Sequence, residues 1–524
     1  PLGILSACFV LPIDDSLDSI FKTLWDAAKI HQGGGGTGFS FSRLRPGGDL
    51  VQSTKGVASG PLTFMTIFDK ETDVIKQGGK RRGANMGILR VDHPDIMDFI
   101  TAKENPEFLH NFNLSVGVTD NFMEAVKQDK EYPLINPRTK KITRKLRAKD
   151  VWDLIATYAW KTGDPGVVFI DEINRQNPTS HLGKIEATNP CGEQPLQPYD
   201  SCNLGSINLT AMVKEKRGSY TINWDKLRNT VWDAVHFLDN VIDANNYLVP
   251  EVEETTKKNR RVGLGVMGFA DLLCLLGIPY NSKKALSLGE KIIEFINQEA
   301  HKKSSQLGKA RGNFPGFRGS KWEKQGYKWM RNATVTTIAP TGTISIIAGC
   351  SSGIEPLFAA AFVRNVLEGS QIFEVNPVLE MIGRKRGFWS SNLVEKIAAT
   401  GTLKRIDSVP EDIKRVFVTA LEIDPQWHIR MQAAFQKHCD NAVSKTINFP
   451  MEASVEGVRN SFFLAYQLKC KGVTVYRYGS KPDQVLSIGE IERKRQAQTT
   501  PPPFVVAGSE FAGGCPSGTC PAPS

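Results

Sequence analysis

Asn189-Pro190-Cys191-Gly192-Glu193 is the stretch that fixes how the rest of the chain is interpreted, and a second cysteine follows in Ser201-Cys202-Asn203. The first stretch places an amide, a thiol and a carboxyl at alternate positions. If the backbone there is extended, the three groups project from one face and converge on one substrate. An amide orients a hydroxyl, a carboxylate removes its proton, and a thiol acts as nucleophile, reductant or radical carrier. The pattern therefore indicates a reaction centre, and we expect an enzyme.

Length and charge narrow the class of protein. The chain has 524 residues and a formal net charge of +10, which suits a large globular enzyme of one or two domains. No stretch has the length and apolar character of a membrane span, so no membrane partner is expected. The positive charge suits either nucleic acid or a polyphosphate substrate. The basic cluster at residues 138–149 is interpreted as a solvated hairpin or loop, and a nucleic-acid partner is not expected.

The cysteines indicate a reducing compartment. Nine cysteines at scattered positions are typical of reduced thiols, so we predict a cytoplasmic protein. We divide the chain into a catalytic domain, residues 1–490, and a flexible tail, residues 491–524, because Pro, Gly and Ser accumulate near its end. The tail carries Cys515 and Cys520. This pair indicates a disordered end, half of a zinc knuckle, or a mobile dithiol that exchanges with a buried disulfide.

Apolar runs and amphipathic stretches alternate along most of the chain, which predicts an α/β fold with a mainly parallel sheet. Helices are predicted at residues 15–30, 151–161 and 224–244. Buried strands are predicted at residues 167–170, 335–339 and 472–476.

Three glycine-containing loops are candidates for phosphate binding. Residues 339–345 read as a loop of Gly and hydroxyl residues between a strand and a helix, which favours either a phosphate site or an ordinary βα connection. Residues 33–38 with Arg45, and residues 77–83, combine glycines with basic side chains. Each favours a polyphosphate contact or, equally, a tight turn or solvated basic loop.

A fourth glycine motif matches a nucleotide-binding fingerprint but lies in the wrong sequence context. Gly263-Leu264-Gly265-Val266-Met267-Gly268 matches the dinucleotide fingerprint G-x-G-x-x-G. The residues before it have a charged, helical pattern, whereas the fingerprint requires an apolar strand there. A nicotinamide site is therefore not expected.

The motifs together, in this order, resemble the catalytic subunit of ribonucleotide reductases from Ser6-Ala7-Cys8 to about Leu486. The resemblance implies a ten-stranded α/β barrel made of two five-stranded parallel halves, with a central finger loop that carries the catalytic cysteine. The shared stretches are residues 6–9, 14–16, 35–38, 77–84, 189–193, 201–206, 260–271 and 339–345.

Within that family the chain looks most like the adenosylcobalamin-dependent class II enzymes, on residues 189–193, 444–448 and 472–477. Class I large subunits carry two adjacent tyrosines that relay a radical from another subunit. Here those places are held by Tyr476 and Arg477, so the pair is broken and a local radical source, adenosylcobalamin, is implied. A class I large subunit that needs a radical-generating partner is the alternative. No metal site formed by the chain's own side chains is predicted.

The resemblance assigns roles to the central residues. Cys191 holds a thiyl radical and takes the 3′ hydrogen of the ribose, Glu193 removes the 3′-hydroxyl proton, and Asn189 orients the hydroxyls. Cys8 and Cys202 supply two electrons and end as a disulfide, which requires Cα atoms within about 7 Å. Cys515 and Cys520 reduce that disulfide, and thioredoxin or a glutaredoxin-like donor restores them. The substrate, a ribonucleoside diphosphate or triphosphate, is bound by Ser6, Ala7, Thr341, Gly342, Thr343, Ile344 and Ser345.

The resemblance also implies a homodimer with a specificity site at its interface, where a deoxynucleoside triphosphate or ATP selects the base that is reduced. Residues 53–61 and 77–85 match the two loops that relay effector identity to the substrate. The residues that match effector contacts are Asp15, Ser16, Leu17, Arg45, Lys80 and Arg81.

Family members usually have a longer region before the first active-site cysteine. In the present sequence residues 1–7 precede Cys8. We therefore expect a fragment, one piece of a split protein or a short form. This leaves a third possibility, a nucleotide-binding fragment without turnover, which the complete set of central residues argues against.

Overall fold

The computed structural model describes residues 3–49, 56–77, 81–216, 218–365 and 371–480. Lys80, Cys515 and Cys520 lie outside the described residues, as does the side chain of Arg81. The predicted tail, residues 491–524, lies outside them too, so the division into two domains stays a prediction.

Nineteen strands occur in the described residues. They are β1 (Cys8–Leu11), β2 (Gly36–Ser40), β3 (Lys76–Gln77), β4 (Arg81–Arg82), β5 (Asn85–Arg90), β6 (Phe112–Val118), β7 (Glu131–Ile135), β8 (Ile142–Arg147), β9 (Gly166–Phe169), β10 (Ala187–Thr188), β11 (Pro195–Leu196), β12 (Asp200–Asn208), β13 (Val213–Lys216), β14 (Ser219–Ile222), β15 (Val262–Met267), β16 (Ala361–Asn365), β17 (Gln371–Val375), β18 (Thr446–Phe449) and β19 (Gly472–Arg477).

Seventeen α-helices occur in the same residues. They are α1 (Leu17–Gly33), α2 (Gly60–Val74), α3 (Ile96–Thr101), α4 (Asp120–Gln128), α5 (Ala148–Thr162), α6 (Ile170–Gln176), α7 (Trp224–Ala244), α8 (Pro250–Asn259), α9 (Phe269–Leu275), α10 (Lys283–Arg311), α11 (Lys321–Lys324), α12 (Gly342–Ile347), α13 (Pro377–Arg386), α14 (Ser391–Thr400), α15 (Glu411–Val416), α16 (Pro425–Gln436) and α17 (Val455–Gln467).

Nine strands form one large sheet in the order β15-β12-β1-β2-β5-β6-β9-β19-β18. The neighbours from β1 to β9 run parallel and form one five-stranded half. In the other half, β12 runs parallel to β15 and β18 runs parallel to β19. The halves meet twice, and both junctions, β1 with β12 and β9 with β19, are antiparallel.

Residues 334–338 lie between the two end strands of this sheet. Leu264 of β15 pairs with Thr336, and Ile338 pairs with Val443 just before β18, both as isolated parallel bridges. The segment was predicted as a regular strand, and that prediction is wrong in detail. The backbone amide of Ala442, which precedes β18, donates to the Glu193 carbonyl at 2.9 Å, so the central loop takes up a hydrogen bond that a continuous ladder would use. The α/β prediction is confirmed, with nine regular strands and a tenth segment that bonds to both end strands.

Helices cover the outside of both halves. One apolar cluster packs α1, α2, α5 and α17 against the first half, and a second packs α7, α10 and α16 against the other half. A third, smaller cluster contains Cys8, Val10, Ile88 and Cys202 and lies on the opposite face of the strands, around the central loop. The alternation of side chains along each strand produces these two faces.

Several predicted elements are confirmed with shifted ends. α1 begins at Leu17 because the Ser16 side chain caps it by accepting from the Ser19 amide, and it runs past residue 30 to Gly33. α7 matches residues 224–244, and α5 extends the predicted helix at 151–161 at both ends. The basic cluster at 138–149 falls on the β7–β8 hairpin and the start of α5.

Candidate active site

The Asn189–Glu193 stretch forms a tight turn between the short antiparallel strands β10 and β11. The Gly192 amide donates to the Asn189 carbonyl at 3.0 Å, and Gly192 has φ = 81°. The turn is closed by the backbone N–H of Asn189, which donates to the Gln194 backbone carbonyl at 3.1 Å. The backbone here is therefore a turn and not extended: Cys191 lies at the tip, half-buried, while Asn189 and Glu193 are buried at the base.

Glycines on β2 and β15 make room for this loop. A Cβ on Gly38 would lie 1.7 Å from the Thr188 carbonyl oxygen, and one on Gly36 would lie 2.9 Å from Pro190 Cγ. On the other side, a Cβ on Gly263 would lie 2.5 Å from Gln194 Nε2. These glycines, which suggested a polyphosphate turn and a dinucleotide fingerprint, instead allow the loop to sit against the sheet.

Cys8 and Cys202 lie directly opposite each other on β1 and β12. Opposed residues of an antiparallel pair have Cα atoms about 4.5–5.5 Å apart, which is within the range of a disulfide. Both thiols are free and buried. The register of two strands thus brings together cysteines that are 194 positions apart along the chain.

Asn189 and Glu193 converge on the same thiol. Asn189 Nδ2 contacts Cys8 Sγ at 3.2 Å, and Glu193 Oε1 lies 4.0 Å from that sulfur. Asn189 is held in place because its Oδ1 accepts from the Gln194 amide at 2.9 Å. Glu193 Oε2 is buried without a hydrogen-bond partner among the described residues. An orphaned carboxyl oxygen in such a place is available to a substrate hydroxyl.

Burial dominates the electrostatics of the site. It raises the pKa of Glu193 to about 7, so this carboxyl can both accept and return a proton near neutral pH. Burial also raises the pKa of the Cys8 thiol well above its usual value, with further contributions from the Glu193, Cys202 and Cys191 charges. Desolvation raises the pKa of Cys202 as well. Both cysteines are therefore protonated thiols, suited to deliver hydrogen and electrons together.

A cavity of about 210 Å³ opens beside Cys191. Its walls are largely apolar, with polar side chains from Asn113, Ser115 and Tyr476. Burial raises the pKa of Tyr476 to about 12, so its hydroxyl stays protonated. A space of this kind, bordered by a thiol and a few polar groups, can hold part of an organic ligand.

The predicted substrate residues fall on two segments near this centre. Ser6 and Ala7 directly precede Cys8, and the Ala7 carbonyl accepts from the Gly36 amide at 2.8 Å. Thr341 adopts φ = 59° and precedes α12, and the neighbouring Pro340 borders the cavity. The remaining predicted members differ in exposure: Gly342 and Ser345 are buried, whereas Thr343 and Ile344 are exposed.

The described side chains contain no group of three or more His, Cys, Asp or Glu in a metal-binding arrangement. Within the same part of the chain, no helix is long and apolar enough to cross a membrane.

Comparison with known proteins decides the family. Residues 6–476 match the model of the ribonucleotide reductase barrel domain. The chain belongs to the ribonucleotide reductase family. It is 56% identical to a vitamin B12-dependent ribonucleoside-diphosphate reductase of Thermoplasma acidophilum, over 99% of this chain and 68% of that protein. It is 50% identical to a protein of the same name from Mycobacterium tuberculosis, over 99% of this chain and 73% of that protein.

The family fold is also found in a solved structure. The alpha subunit of the class Id ribonucleotide reductase of Actinobacillus ureae superposes with a TM-score of 0.74. The match covers 91% of this chain and 84% of that chain, at 23% identity. This likeness concerns the fold alone.

Three of the predicted effector residues, Asp15, Ser16 and Leu17, lie at the start of α1, and Arg45 follows β2. Asp15 and Arg45 pair with each other, with Arg45 Nε 2.8 Å from Asp15 Oδ2. Ser16 caps α1, so its side chain is engaged by the helix backbone. Leu17 is exposed on the helix surface.

Sequence reasoning missed two residues of the reductase centre. Asn113 Nδ2 donates to the Pro190 carbonyl at 2.9 Å and steadies the loop from β6. Lys445 is fully buried in the cavity wall, where its Nζ contacts Glu355 and, at 2.9 Å, His428 Nδ1. Lys445 falls in residues 444–448, which supported the resemblance, whereas nothing near Asn113 marks it in the sequence.

Proposed function

We propose that this chain reduces ribonucleotides to 2′-deoxyribonucleotides by a thiyl-radical mechanism, with adenosylcobalamin as the radical source. One observation carries the proposal: Cys8 and Cys202 oppose each other across two strands, with Asn189 and Glu193 on the first thiol and Cys191 beside them. A nucleophilic cysteine needs a basic partner to form a thiolate. Burial here raises the pKa of Cys8 and Cys202, which keeps both thiols protonated.

In the proposed reaction, Cys191 as a thiyl radical takes the 3′ hydrogen of the ribose. Glu193 accepts the 3′-hydroxyl proton, and the 2′ oxygen leaves as water with a proton from the thiol pair. Cys8 and Cys202 supply the two electrons and form a disulfide, and Cys191 returns hydrogen to C3′. The net change is one ribose C–OH and two thiols to one C–H, one disulfide and one water.

The cavity beside Cys191, at about 210 Å³, has room for one end of the proposed cofactor. Homolysis of the cobalt–carbon bond is the chemistry that adenosylcobalamin supplies when bound. Asn113, Ser115 and Tyr476 are the residues that we propose to hold the group next to Cys191, because they are among the polar side chains that line the cavity beside that thiol, together with Lys445. The names of the relatives that are 50–56% identical support this cofactor.

A class I mechanism is disfavoured by the surroundings of Arg477. Its guanidinium lies 4.1 Å from the centroid of the Trp160 ring and donates to the Trp160 carbonyl at 3.0 Å. Arg477 therefore faces Trp160, and Tyr476 has no tyrosine next to it in sequence with which to form a radical relay.

We propose a ribonucleoside diphosphate as the substrate. The two relatives compared above carry that substrate in their names. The loop that begins at Thr341 adjoins the cavity through Pro340, and its amides at the start of α12 would receive the phosphates.

We propose a homodimer through the outer face of α1. Leu17, Phe21 and Trp25 are 63%, 51% and 63% exposed and lie one helical turn apart. Such an apolar stripe on a surface helix is typical of a contact with a second copy. A dimer through α1 would bring Asp15 and Arg45 to the interface, where a deoxynucleoside triphosphate or ATP effector would bind.

We propose thioredoxin or a glutaredoxin-like protein as the reductant, acting through Cys515 and Cys520. We propose the cytoplasm as the location of the protein. Six cysteines of the described residues, Cys8, Cys202, Cys274, Cys350, Cys439 and Cys470, are free thiols, which fits a reducing compartment.

The function is tested by anaerobic reduction of ribonucleoside diphosphates with a dithiol, with and without adenosylcobalamin. We expect deoxyribonucleotide only in the presence of the cofactor. Turnover that requires a metal-containing partner protein instead would refute the class assignment.

Two variants test the residue roles in the same assay. Cys191→Ser should abolish reduction, whereas Cys470→Ala, which changes a buried cysteine of the outer apolar core, should retain it. Cys515→Ser should stop thioredoxin-driven cycling but leave the first turnover intact. Measurable reduction by Cys191→Ser would contradict the radical assignment.

A further inference from the structure

A buried chain of hydrogen bonds connects α1 and α2 to the strand beneath the Cys191 loop. It starts at His31, near the end of α1, whose side chain is completely buried. His31 Nδ1 lies 3.0 Å from a carboxyl oxygen of Glu71 on α2, and Nε2 lies 2.9 Å from the hydroxyl of Thr37 on β2. Thr37 lies between Gly36 and Gly38, the two glycines that contact Pro190 and Thr188.

The chain continues through Asn85. The Thr37 hydroxyl donates to Asn85 Oδ1 at 2.7 Å, and Asn85 Nδ2 donates to the Thr72 hydroxyl at 2.7 Å. Thr72 in turn donates to the Phe68 carbonyl at 2.8 Å. Each hydroxyl has one proton, so these directions leave Thr37 only able to accept from His31. The Thr72 hydroxyl also lies 3.2 Å from Glu71 Oε2, so the chain returns to the carboxyl that His31 contacts. A buried hydrogen-bond network of this kind is cooperative.

This chain also contacts the segment that leads into β5. Gly83 packs on the His31 ring so closely that a Cβ there would lie 2.7 Å from its Cδ2 and Cγ atoms. The Ala84 carbonyl accepts from the Thr37 amide at 3.1 Å. A displacement of residues 83–85 must therefore shift His31 or Thr37, and with them the β2 backbone that supports the Cys191 loop.

We propose that this hydrogen-bond chain couples nucleotide binding at the start of α1 to the position of the Cys191 loop, with His31 as its central positioning residue. The inference rests on the proposed function. α1 begins directly after the candidate effector residues Asp15 and Ser16 and carries His31 in its last turn, so one helix spans the distance. Coupling of this kind is a difference in effector affinity between two arrangements of the loop.

The experiment measures how each deoxynucleoside triphosphate changes the rate of ribonucleoside diphosphate reduction by the full chain with adenosylcobalamin. We expect His31→Gln and Thr72→Val to lower the effector-induced rate ratio by roughly 2- to 30-fold, since residues along a coupling network change it by that amount. The rate without effector and the effector affinity, measured by equilibrium dialysis, should remain those of the wild type.

His110→Gln is the matched control. His110 also pairs with carboxylates of α2, with Nε2 2.8 Å from Asp73 Oδ1, but it has no contact with Thr37 or Asn85 among the described residues. We expect the full effector ratio in this variant. A purely structural role for His31 would lower thermal stability and basal rate without changing the ratio.

The outcomes separate the two proposals. A wild-type chain that does not reduce ribonucleotides overturns both. The coupling is overturned, while the function stands, if the wild type reduces ribonucleotides at a rate that effectors do not change. The same follows if His31→Gln and Thr72→Val keep the wild-type effector ratio. If His31→Gln does not fold, Thr72→Val alone decides, because it removes one hydroxyl at nearly constant volume.

Discussion

Replacing Glu193 with glutamine should make the protein more stable and less active, and the gain in stability should depend on pH. Burial raises the pKa of Glu193 from 4.5 to about 7. Between these values the folded state still holds the proton that the unfolded chain has lost. Stability therefore falls as pH rises through this window. The difference of about 2.5 pKa units, at ~1.4 kcal/mol each, corresponds to a cost of about 3 kcal/mol above pH 7.

Most of this cost, ~2.5 kcal/mol, arises between pH 5 and pH 8.5. At ~2.1 cal/mol/K per residue, a chain of 524 residues has an unfolding entropy near 1.1 kcal/mol/K. The Tm advantage of Glu193→Gln over the wild type should thus be about 2 °C larger at pH 8.5 than at pH 5. Thermal denaturation of both proteins at both pH values measures it. Comparing the Tm difference at pH 8.5 with that at pH 5 removes any pH-independent cost of burying the glutamine amide.

Glu290→Gln is the control, because hydrogen bonding to Lys437 lowers the pKa of Glu290 instead. Its Tm difference from the wild type should be nearly the same at both pH values. Turnover of Glu193→Gln should fall by roughly 10²- to 10⁴-fold, the usual contribution of a general base. The wild-type rate should rise with pH through about 7. Equal Tm differences for Glu193→Gln at pH 5 and pH 8.5 would refute the reasoning.

Three further outcomes follow from the geometry. Gly38→Ala should lower stability by about 1–3 kcal/mol and impair turnover, because its Cβ would overlap the Thr188 carbonyl, whereas Gly3→Ala, with open space around it, should be neutral in thermal denaturation. A single turnover without external reductant should consume two thiols per chain by thiol titration, and Cys202→Ser should consume none. Phe21→Glu should shift a dimer to a monomer in sedimentation velocity, while Phe237→Glu, on α7 and more exposed than Phe21, should not; a dimeric Phe21→Glu would contradict the α1 interface.

Local patterns predicted much of the fold. The helix at 224–244 was placed within its observed limits because its apolar period, its Asn223 cap and the following Asn245 all agree. Residues 335–339 were predicted as a strand because they are apolar and β-branched. Their hydrogen bonds are shared with the Cys191 loop, which a local pattern does not reveal. The contact of the β2 and β15 glycines with this loop was not predicted for a similar reason, since close approach by a distant segment leaves no local signal.

The sequence by itself determined which chemical groups are available: the thiols, the amide and carboxyl beside Cys191, and the resemblance that ordered them. The tertiary structure decided how they meet. The register of β1 against β12 sets Cys8 opposite Cys202, and a turn, not an extended strand, exposes Cys191 at its tip. It also decided that Asp15 and Arg45 pair with each other. The physical reason is that strand register and burial are properties of the whole sheet, and both the raised pKa of Glu193 and the pairing of the two thiols depend on them.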